Sequence, residues 1–340
     1  MAREVISQDI EDAAARIRPL VPETPLMRSE PLSRAIGCEL WFKCELWHPT
    51  FSFKLRGAAN DLLRAREDGR LGREGAEIVC SSSGNHGLAC AWLARRLDAR
   101  CHVFVSEQVG AGKRGVIAAM GGTVHRTGRE IDDARQAAIV FAARHGHYFV
   151  NDGVSPEILT GAGTAAHEVL HRLRDIDDVI APIGGGNLAG GTALAVKSLS
   201  PKTRVIGVAP TSSPVIVESF RARKMLSIAP GDTIADGLTQ REPIAETMAV
   251  LWKHMDEGWL VEDASILGAM HALLESAHML VEPSGAAGLA ALWEHRGELK
   301  GRRVVVVLTG SNVGMEQVRR ALAAPSLAPL GYPSGLWARA

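Results

Sequence analysis

The segment SFKLRGA, residues 52–58, has a lysine at the predicted start of an amphipathic helix. Phe53 and Leu55 flank Lys54 directly, and the helical pattern continues from Ala58. The positive end of the helix dipole and the apolar neighbours both disfavour a charged ammonium here. A lysine held neutral can form a Schiff base and act as a base, which makes Lys54 a candidate catalytic group. The alternative is a surface lysine whose alkyl chain crosses an apolar rim to reach solvent.

Length and composition limit the classes of protein that this chain can be. It has 340 residues, enough for two domains, and its 38 basic residues balance its 38 acidic ones. Because it has no basic block and no membrane-length apolar run, neither nucleic acid nor a membrane is expected as a partner. Residues 1–18 have no signal-peptide pattern. The five cysteines form no C-x-x-C pair, which favours reduced thiols and a cytoplasmic protein.

Short apolar strands alternate with longer helices through most of the chain. Strands are predicted at 77–81, 101–105 and 179–183, for example, with helices at 84–97 and 158–174. This alternation predicts an α/β fold built on open parallel sheets. Ligands bind beyond the carboxyl ends of the strands in such sheets, so the loops that follow the strands are the candidate sites.

The loop SSSGNHG, residues 81–87, follows one of these strands. Its hydroxyl groups, together with the amides at the start of the next helix, can bind a carboxylate. The alternative is a simple N-cap turn, in which Ser83 or Asn85 only caps the helix.

The loop PIGGGNLAGG, residues 182–191, joins another strand to a helix. Consecutive glycines at such a position let backbone amides converge on one phosphate. A dinucleotide site would need an acidic residue at the end of the next strand, where the sequence has Val208-Ala209-Pro210, and no Walker lysine follows. The loop therefore predicts a small phosphorylated cofactor.

Two further turns have polar side chains at the ends of apolar segments. Thr309 follows the valine-rich strand at 303–308, where its hydroxyl can hydrogen-bond a ligand ring. Glu282 lies in the turn VEPSG, residues 281–285.

The segment HEVLH, residues 167–171, matches the H-E-x-x-H pattern of zinc proteases. No His, Glu or Asp occurs between 184 and 197 to serve as a third ligand. The sequence therefore predicts two surface histidines beside an exposed Glu168, and no metal site.

Taken in order, these motifs resemble the fold type II pyridoxal phosphate enzymes, and among them the serine/threonine dehydratase and serine racemase family. The resemblance covers residues 10–320. It implies two open-sheet domains of the tryptophan synthase β-like architecture, with pyridoxal 5'-phosphate in the cleft between them. Residues 1–66 and 150–330 would form the large domain, residues 67–149 the small domain and residues 331–340 a tail.

The resemblance also implies a role for each candidate residue. Lys54 would carry the cofactor as a Schiff base, and Ser83 would be the second catalytic residue, as in the racemases. The other cofactor contacts would come from Phe53, Asn85, Gly184, Gly185, Gly186, Asn187, Leu188, Glu282 and Thr309. The substrate would be bound by Ser82, Ser83, Asn85, His86, Asp236 and Gly237.

Three departures from the family pattern are visible. Asn187 stands where the phosphate loop has a fourth glycine, and Thr309 stands where the family often has serine. Ala209 and Val215 stand where some members bind a divalent ion, so that metal site is not expected.

The resemblance implies dehydration and deamination of a threonine-type or serine-type β-hydroxy amino acid to a 2-oxo acid and ammonia. One alternative is a serine-type racemase. Another is a dehydratase of a specialised substrate, such as 3-hydroxyaspartate or a hydroxyectoine breakdown product. A metal hydrolase and a non-catalytic ligand-binding protein are the alternatives outside this class. A homodimer or homotetramer is expected.

Overall fold

Two sheets organise the part of the chain that the computed structural model describes, residues 5–72 and 75–328. The strands are β1 (Leu26–Arg28), β2 (Glu39–Cys44), β3 (Glu77–Ser81), β4 (Arg100–Val105), β5 (Gly122–Arg126), β6 (Tyr148–Phe149), β7 (Asp178–Pro182), β8 (Arg204–Pro210), β9 (Glu257–Val261) and β10 (Arg303–Leu308). The larger sheet has the order β1-β2-β10-β7-β8-β9, and the smaller has the order β5-β4-β3-β6. All pairs are parallel except β1 with β2. The prediction of an α/β fold with two open parallel sheets is confirmed.

Helices connect the strands. They are α1 (Ser7–Ile17), α2 (Glu30–Ile36), α3 (Lys54–Glu67), α4 (Asn85–Arg96), α5 (Ala111–Ala119), α6 (Ile131–His145), α7 (Pro156–Arg172), α8 (Asn187–Leu199), α9 (Val215–Ala222), α10 (Ala245–His254), α11 (Asp263–Ala277), α12 (Pro283–Glu294) and α13 (Met315–Ala323). None of the helices in the described residues is both long enough and apolar enough to span a bilayer. The predicted tail, residues 331–340, lies outside the described residues.

Strand β10 shows why a run of valines lies in the middle of the larger sheet. Val304 and Val306 pack into one apolar core, while Val305 and Val307 pack into a second core on the opposite face. A central strand covered by helices on both faces has no solvent-facing side, so the positions from Val304 to Leu308 are all apolar. The strand ends at Leu308, and Thr309 follows it directly.

Helix α3 lies where the two sheets approach each other. Its residues Leu55 and Leu62 share a core with Ile78 of the small sheet. Its other side crosses α7 so closely that a Cβ on Gly161 would lie 2.6 Å from the backbone oxygen of Arg56. Because α3 packs on both sides, the proposed boundary at residues 66 and 67 stays a prediction, although the strands of the small sheet all lie between 77 and 149.

Candidate active site

A cleft of about 1100 Å³ opens between the two sheets, at the carboxyl ends of their strands. The residues that follow β3, β7 and β10 line it, as the general rule for open α/β sheets requires. It brings together every candidate residue from the sequence: Phe53, Lys54, Ser82, Ser83, Asn85, His86, Gly184, Gly185, Gly186, Asn187, Leu188, Asp236, Gly237, Glu282 and Thr309. The individual roles of these residues stay predictions.

The amine of Lys54 lies inside this cleft. Lys54 is the first residue of α3, directly after Phe53. Its Nζ atom donates a hydrogen bond to Oδ2 of Asp152 at 2.6 Å, and 25% of its side-chain surface is exposed. The alternative of a lysine that extends past an apolar rim to bulk solvent does not describe this position. Asp152 was missed in the sequence, since nothing in the run Asn151-Asp152-Gly153 distinguishes it from an ordinary turn.

Asp152 is an ionised carboxylate that lies between the amine of Lys54 and the imidazole of His86. Burial acts to raise its pKa, but the charges of Lys54 and His86 outweigh burial and lower the pKa to about 2. Nδ1 of His86 is 3.6 Å from the buried Oδ1 atom of Asp152. The sequence argument for a neutral Lys54 considered only the helix dipole and the apolar neighbours. It was incomplete, because it left out the carboxylate of Asp152, which lies 2.6 Å from Nζ.

The glycine loop presents bare backbone to the cleft at the start of α8. A Cβ on Gly184 would lie 2.7 Å from the backbone oxygen of Gly237. Gly186 has a φ of +98°, and a Cβ there would lie 2.9 Å from Thr247. Both positions therefore require glycine, and the unpaired amides of the helix N-terminus are free to face an anion.

Asn187, which departs from the family pattern, joins this loop to the segment that contains Asp152. Its Nδ2 atom donates a hydrogen bond to the backbone oxygen of Asp152 at 2.5 Å. The side chain therefore fixes the carboxylate beside Lys54 relative to the glycine loop. A glycine at position 187 could not make this contact.

A chain of amide hydrogen bonds holds Glu282 on the far side of the cleft. Nδ2 of Asn85 donates to both carboxylate oxygens of Glu282, at 2.9 and 3.2 Å. Oδ1 of Asn85 accepts from Nδ2 of Asn312 at 2.7 Å, which fixes the amide orientation. Burial raises the pKa of Glu282 to about 7, although the hydrogen bond from Asn85 opposes this shift. Glu282 therefore changes charge near neutral pH.

Because the pKa of Glu282 is raised, the free energy of unfolding of the cofactor-free protein is expected to fall as pH rises. The folded state favours the protonated carboxyl, so its stabilising contribution is present below the ordinary pKa of 4.5 and is lost as pH rises towards 7. We expect wild type to lose roughly 2–3 kcal/mol relative to Glu282→Gln between about pH 5 and about pH 8. Urea unfolding of both proteins at the two pH values measures this difference. The exposed Glu316→Gln serves as the control, and an equal pH dependence in all three proteins would contradict the expectation.

Two cationic side chains lie on the small-sheet wall of the cleft, and the sequence analysis missed both. Lys113 of α5 reaches across the cleft to Asp236, with Nζ 3.2 Å from Oδ2. Arg135 of α6 donates from Nη2 to Oδ1 of Asn151 at 3.1 Å. Neither residue belongs to a local sequence motif, and each reaches the site only through the fold of the chain.

The H-E-x-x-H segment lies away from the cleft, and one prediction made for it was wrong. Glu168 is not exposed: only 17% of its side-chain surface is accessible. It accepts hydrogen bonds from Arg56 at 2.6 and 2.7 Å and from Lys43, because these buried cations require a carboxylate on the inner face of α7. The rings of His167 and His171 lie 4.2 Å apart on the outer side.

Comparisons with known proteins give a consistent result. The family model described as "Pyridoxal-phosphate dependent enzyme" matches residues 17–310. An L-threo-3-hydroxyaspartate ammonia-lyase of Saccharomyces cerevisiae is 31% identical over 309 residues, which is 91% of this chain and 94% of the relative. An L-threonine ammonia-lyase of Thermotoga maritima is 30% identical over 92% of this chain and 77% of the relative. The crystal structure of serine racemase from Dictyostelium discoideum superposes with a TM-score of 0.83 at 30% identity, covering 91% of this chain and 99% of the other.

Proposed function

Because the chain belongs to the family of pyridoxal-phosphate dependent enzymes, we propose that it is an ammonia-lyase acting on a β-hydroxy amino acid. The reaction eliminates the β-hydroxyl group as water, and hydrolysis then releases ammonia and a 2-oxo acid. The observation that carries this proposal is the amine of Lys54, which lies in one cleft with the glycine loop and the serine-rich loop. The ammonia-lyase names of two relatives support the same reaction class.

The residues of the cleft fit pyridoxal 5'-phosphate. Lys54 offers a primary amine for the aldehyde. Gly184 and Gly186 leave no room for side chains at the N-terminus of α8, which is the kind of backbone cradle that binds phosphate. Thr309 offers a hydroxyl to the ring at the end of β10, and Glu282 and Asn85 line the same cavity.

Each wall of the cleft contributes to the proposed chemistry. When bound, the cofactor supplies an electron sink for the charge that develops at Cα. Lys54 acts as the base that removes the Cα proton. Asp152 stabilises the ammonium that Lys54 becomes and holds Nζ in position. Ser82, Ser83 and the N-terminus of α4 bind the substrate carboxylate through hydroxyl and amide groups.

The main test is a 2-oxo acid assay over a panel of L-threonine, L-serine and L-threo-3-hydroxyaspartate. The purified protein is expected to absorb visible light through its bound cofactor and to release a keto acid from at least one of these substrates. A colourless protein that releases no keto acid after addition of pyridoxal 5'-phosphate would overturn the proposal and favour a non-catalytic binding protein.

The cations on the small-sheet wall favour a substrate with a second carboxylate, such as 3-hydroxyaspartate. Lys113 already has a carboxylate partner in Asp236, whereas Arg135 bonds the neutral amide of Asn151. A guanidinium in this position can pair with a substrate carboxylate. An L-threo-3-hydroxyaspartate ammonia-lyase among the relatives supports this choice.

The substitution Arg135→Gln is therefore expected to affect the two classes of substrate differently. Loss of one charge-assisted hydrogen bond should raise KM for L-threo-3-hydroxyaspartate by about 10- to 100-fold. KM for L-threonine, which has no second carboxylate, should change by less than about threefold. Steady-state kinetics with both substrates measures the two effects. Equal losses for the two substrates would contradict a role for Arg135 in recognising the second carboxylate.

A second candidate function, racemisation, rests on Ser83. This residue lines the cleft, and a serine racemase is among the similar structures. Ser83→Ala is expected to lower D-serine formation from L-serine by about 10-fold or more, because a proton donor at Cα is lost. At saturating L-serine, pyruvate formation should fall by less than about threefold, because loss of one carboxylate contact acts mainly on KM. Chiral chromatography and a pyruvate assay on the same samples separate the two rates, and a parallel loss would refute this division of roles.

We also propose a cytoplasmic location and a homodimeric or homotetrameric assembly. All five cysteines are unpaired and buried, which suits a reducing compartment. The oligomeric state follows only from the family resemblance, and light scattering on the purified protein tests it.

A further inference from the structure

Three metal-binding side chains converge on the small sheet, at the ends of its strands that face away from the cleft. They are Glu77, His102 and His147, and the ligand atoms that they offer all lie within 4.8 Å of one another. Glu77 is the first residue of β3, whereas the serine-rich loop follows its last residue. Ser81, at the other end of β3, lines the active-site cleft, so four residues of extended strand, roughly 13 Å, separate Glu77 from it.

The strand register explains why these residues meet. Val79 of β3 pairs with His102 on one side and with Phe149 on the other. Glu77 and His147 each lie two residues before a member of this row, so their side chains share its face of the sheet. Phe141 of α6 covers the same face, with its ring 5.1 Å from that of His102. The cluster is thus fixed by backbone pairing and not by a flexible loop.

One carboxylate oxygen and two imidazole nitrogens form a donor set typical of Zn²⁺ with an open fourth position. Ligand atoms at about 2.1 Å from one ion lie about 3.4 Å apart in a tetrahedron. One separation is close to this value, since Nε2 of His147 is 3.8 Å from Oε2 of Glu77. Nε2 of His102 is hydrogen-bonded to the same oxygen and would move away from it to bind an ion. Small side-chain rotations would bring the three atoms around one ion. Between 13% and 19% of each side-chain surface is exposed, which gives an ion access from solvent.

A fourth residue, His125, orients the central ligand. Its Nε2 atom lies 2.9 Å from Nδ1 of His102. Metal-binding histidines commonly bond a second group through the ring nitrogen that does not bind the metal, which fixes the ring and its tautomer. With Nδ1 engaged by His125, Nε2 of His102 faces Glu77 and hydrogen-bonds it directly.

We propose that Glu77, His102 and His147 form a Zn²⁺ site separate from the active site, with His125 as a positioning residue. On binding, Zn²⁺ forms bonds to Oε2 of Glu77 and to one ring nitrogen of each histidine. His102 binds through Nε2 as a neutral imidazole, with its one ring proton on Nδ1, where it is donated to Nε2 of His125, and no electron is transferred. Arg100, which pairs with the other oxygen of Glu77, keeps that contact. The ion joins β3, β4 and the residue that precedes β6, so it stabilises the small sheet. The sequence predicted no metal site because the ligands come from separate strands with no motif spacing.

The test is isothermal titration of the metal-free, cofactor-loaded enzyme with ZnCl₂, accompanied by Co²⁺ absorption spectra. We expect one Zn²⁺ per chain, tetrahedral Co²⁺ bands and a higher thermal midpoint with Zn²⁺. His147→Asn should weaken the affinity by about 100-fold or more, and His125→Gln by about 10- to 100-fold. The matched control is the double variant His167→Asn with His171→Asn, which should bind as wild type does.

Two outcomes would overturn the proposal. One is the absence of Zn²⁺ binding at millimolar metal. The other is a Zn²⁺ affinity that is unchanged in His147→Asn. Circular dichroism and cofactor absorbance of each metal-free variant establish that it is folded, so that a lost affinity is assigned to the removed ligand. The Zn²⁺ affinity, the Co²⁺ spectra and the thermal midpoint do not depend on turnover. Failure of the metal proposal is therefore distinguishable from failure of the proposed lyase activity.

Discussion

Lys54→Ala is expected to abolish 2-oxo acid formation from every β-hydroxy amino acid that the wild-type enzyme accepts. The variant loses both the amine that attaches the cofactor and the base that removes the Cα proton. Loss of one such base typically costs 100- to 10,000-fold, so we expect a fall of about 1000-fold or more. A coupled keto acid assay measures the rate, and visible absorbance measures the attached cofactor.

Lys113→Ala is the matched control for this prediction. Lys113 lines the same cleft, but its amine bonds Asp236 at the cleft mouth. The variant should keep the absorbance of the attached cofactor whatever its KM becomes. Lys54→Ala with wild-type keto acid production, or loss of attached cofactor in Lys113→Ala alone, would contradict the assignment of the two lysines.

Arg56→Met is expected to destabilise the protein by about 3–5 kcal/mol, the usual cost of removing one partner from a buried ion pair. The Arg56 side chain is fully buried two residues after Lys54. It donates to Glu45 at 2.6 and 2.9 Å and to Glu168 at 2.6 and 2.7 Å. In the variant, Lys43 still faces both carboxylates, but the guanidinium that paired with them is gone. Urea unfolding monitored by circular dichroism measures the loss.

Arg64→Met is the comparison for this loss. Arg64 lies on the same helix, but its side chain is 43% exposed and it pairs with Glu67 at 3.5 Å. An exposed pair of this kind contributes little, so the change should stay within about 0.5 kcal/mol. If the two variants unfolded at the same urea concentration, the buried ion network would not be what stabilises the start of α3.

Most of the fold could be predicted because its strands are contiguous apolar runs. The prediction for β10 depended on its valines, and those for β3 and β4 on similar short runs. Elements without such a signal were missed. Strand β1 has only three residues and pairs antiparallel at the sheet edge. Helix α10 begins after Ile244, which has no side-chain cap.

The candidate site could be predicted where its residues are close in sequence. The lysine segment, the serine-rich loop and the glycine loop are each continuous, and each follows an element end. Asp152 is 98 residues from Lys54, and its role arises only from their contact in the folded chain. Glu168 was placed wrongly for the same reason, because its partner Arg56 is 112 residues away.

Covalent attachment of the cofactor to Lys54 is tested most directly by borohydride reduction of the cofactor-loaded enzyme, followed by tryptic peptide mass spectrometry. We predict one modified peptide, with the mass of the reduced pyridoxyl phosphate group on Lys54. A modified lysine elsewhere, or a reduced enzyme in which Lys54 carries no added mass, would contradict the proposed active site.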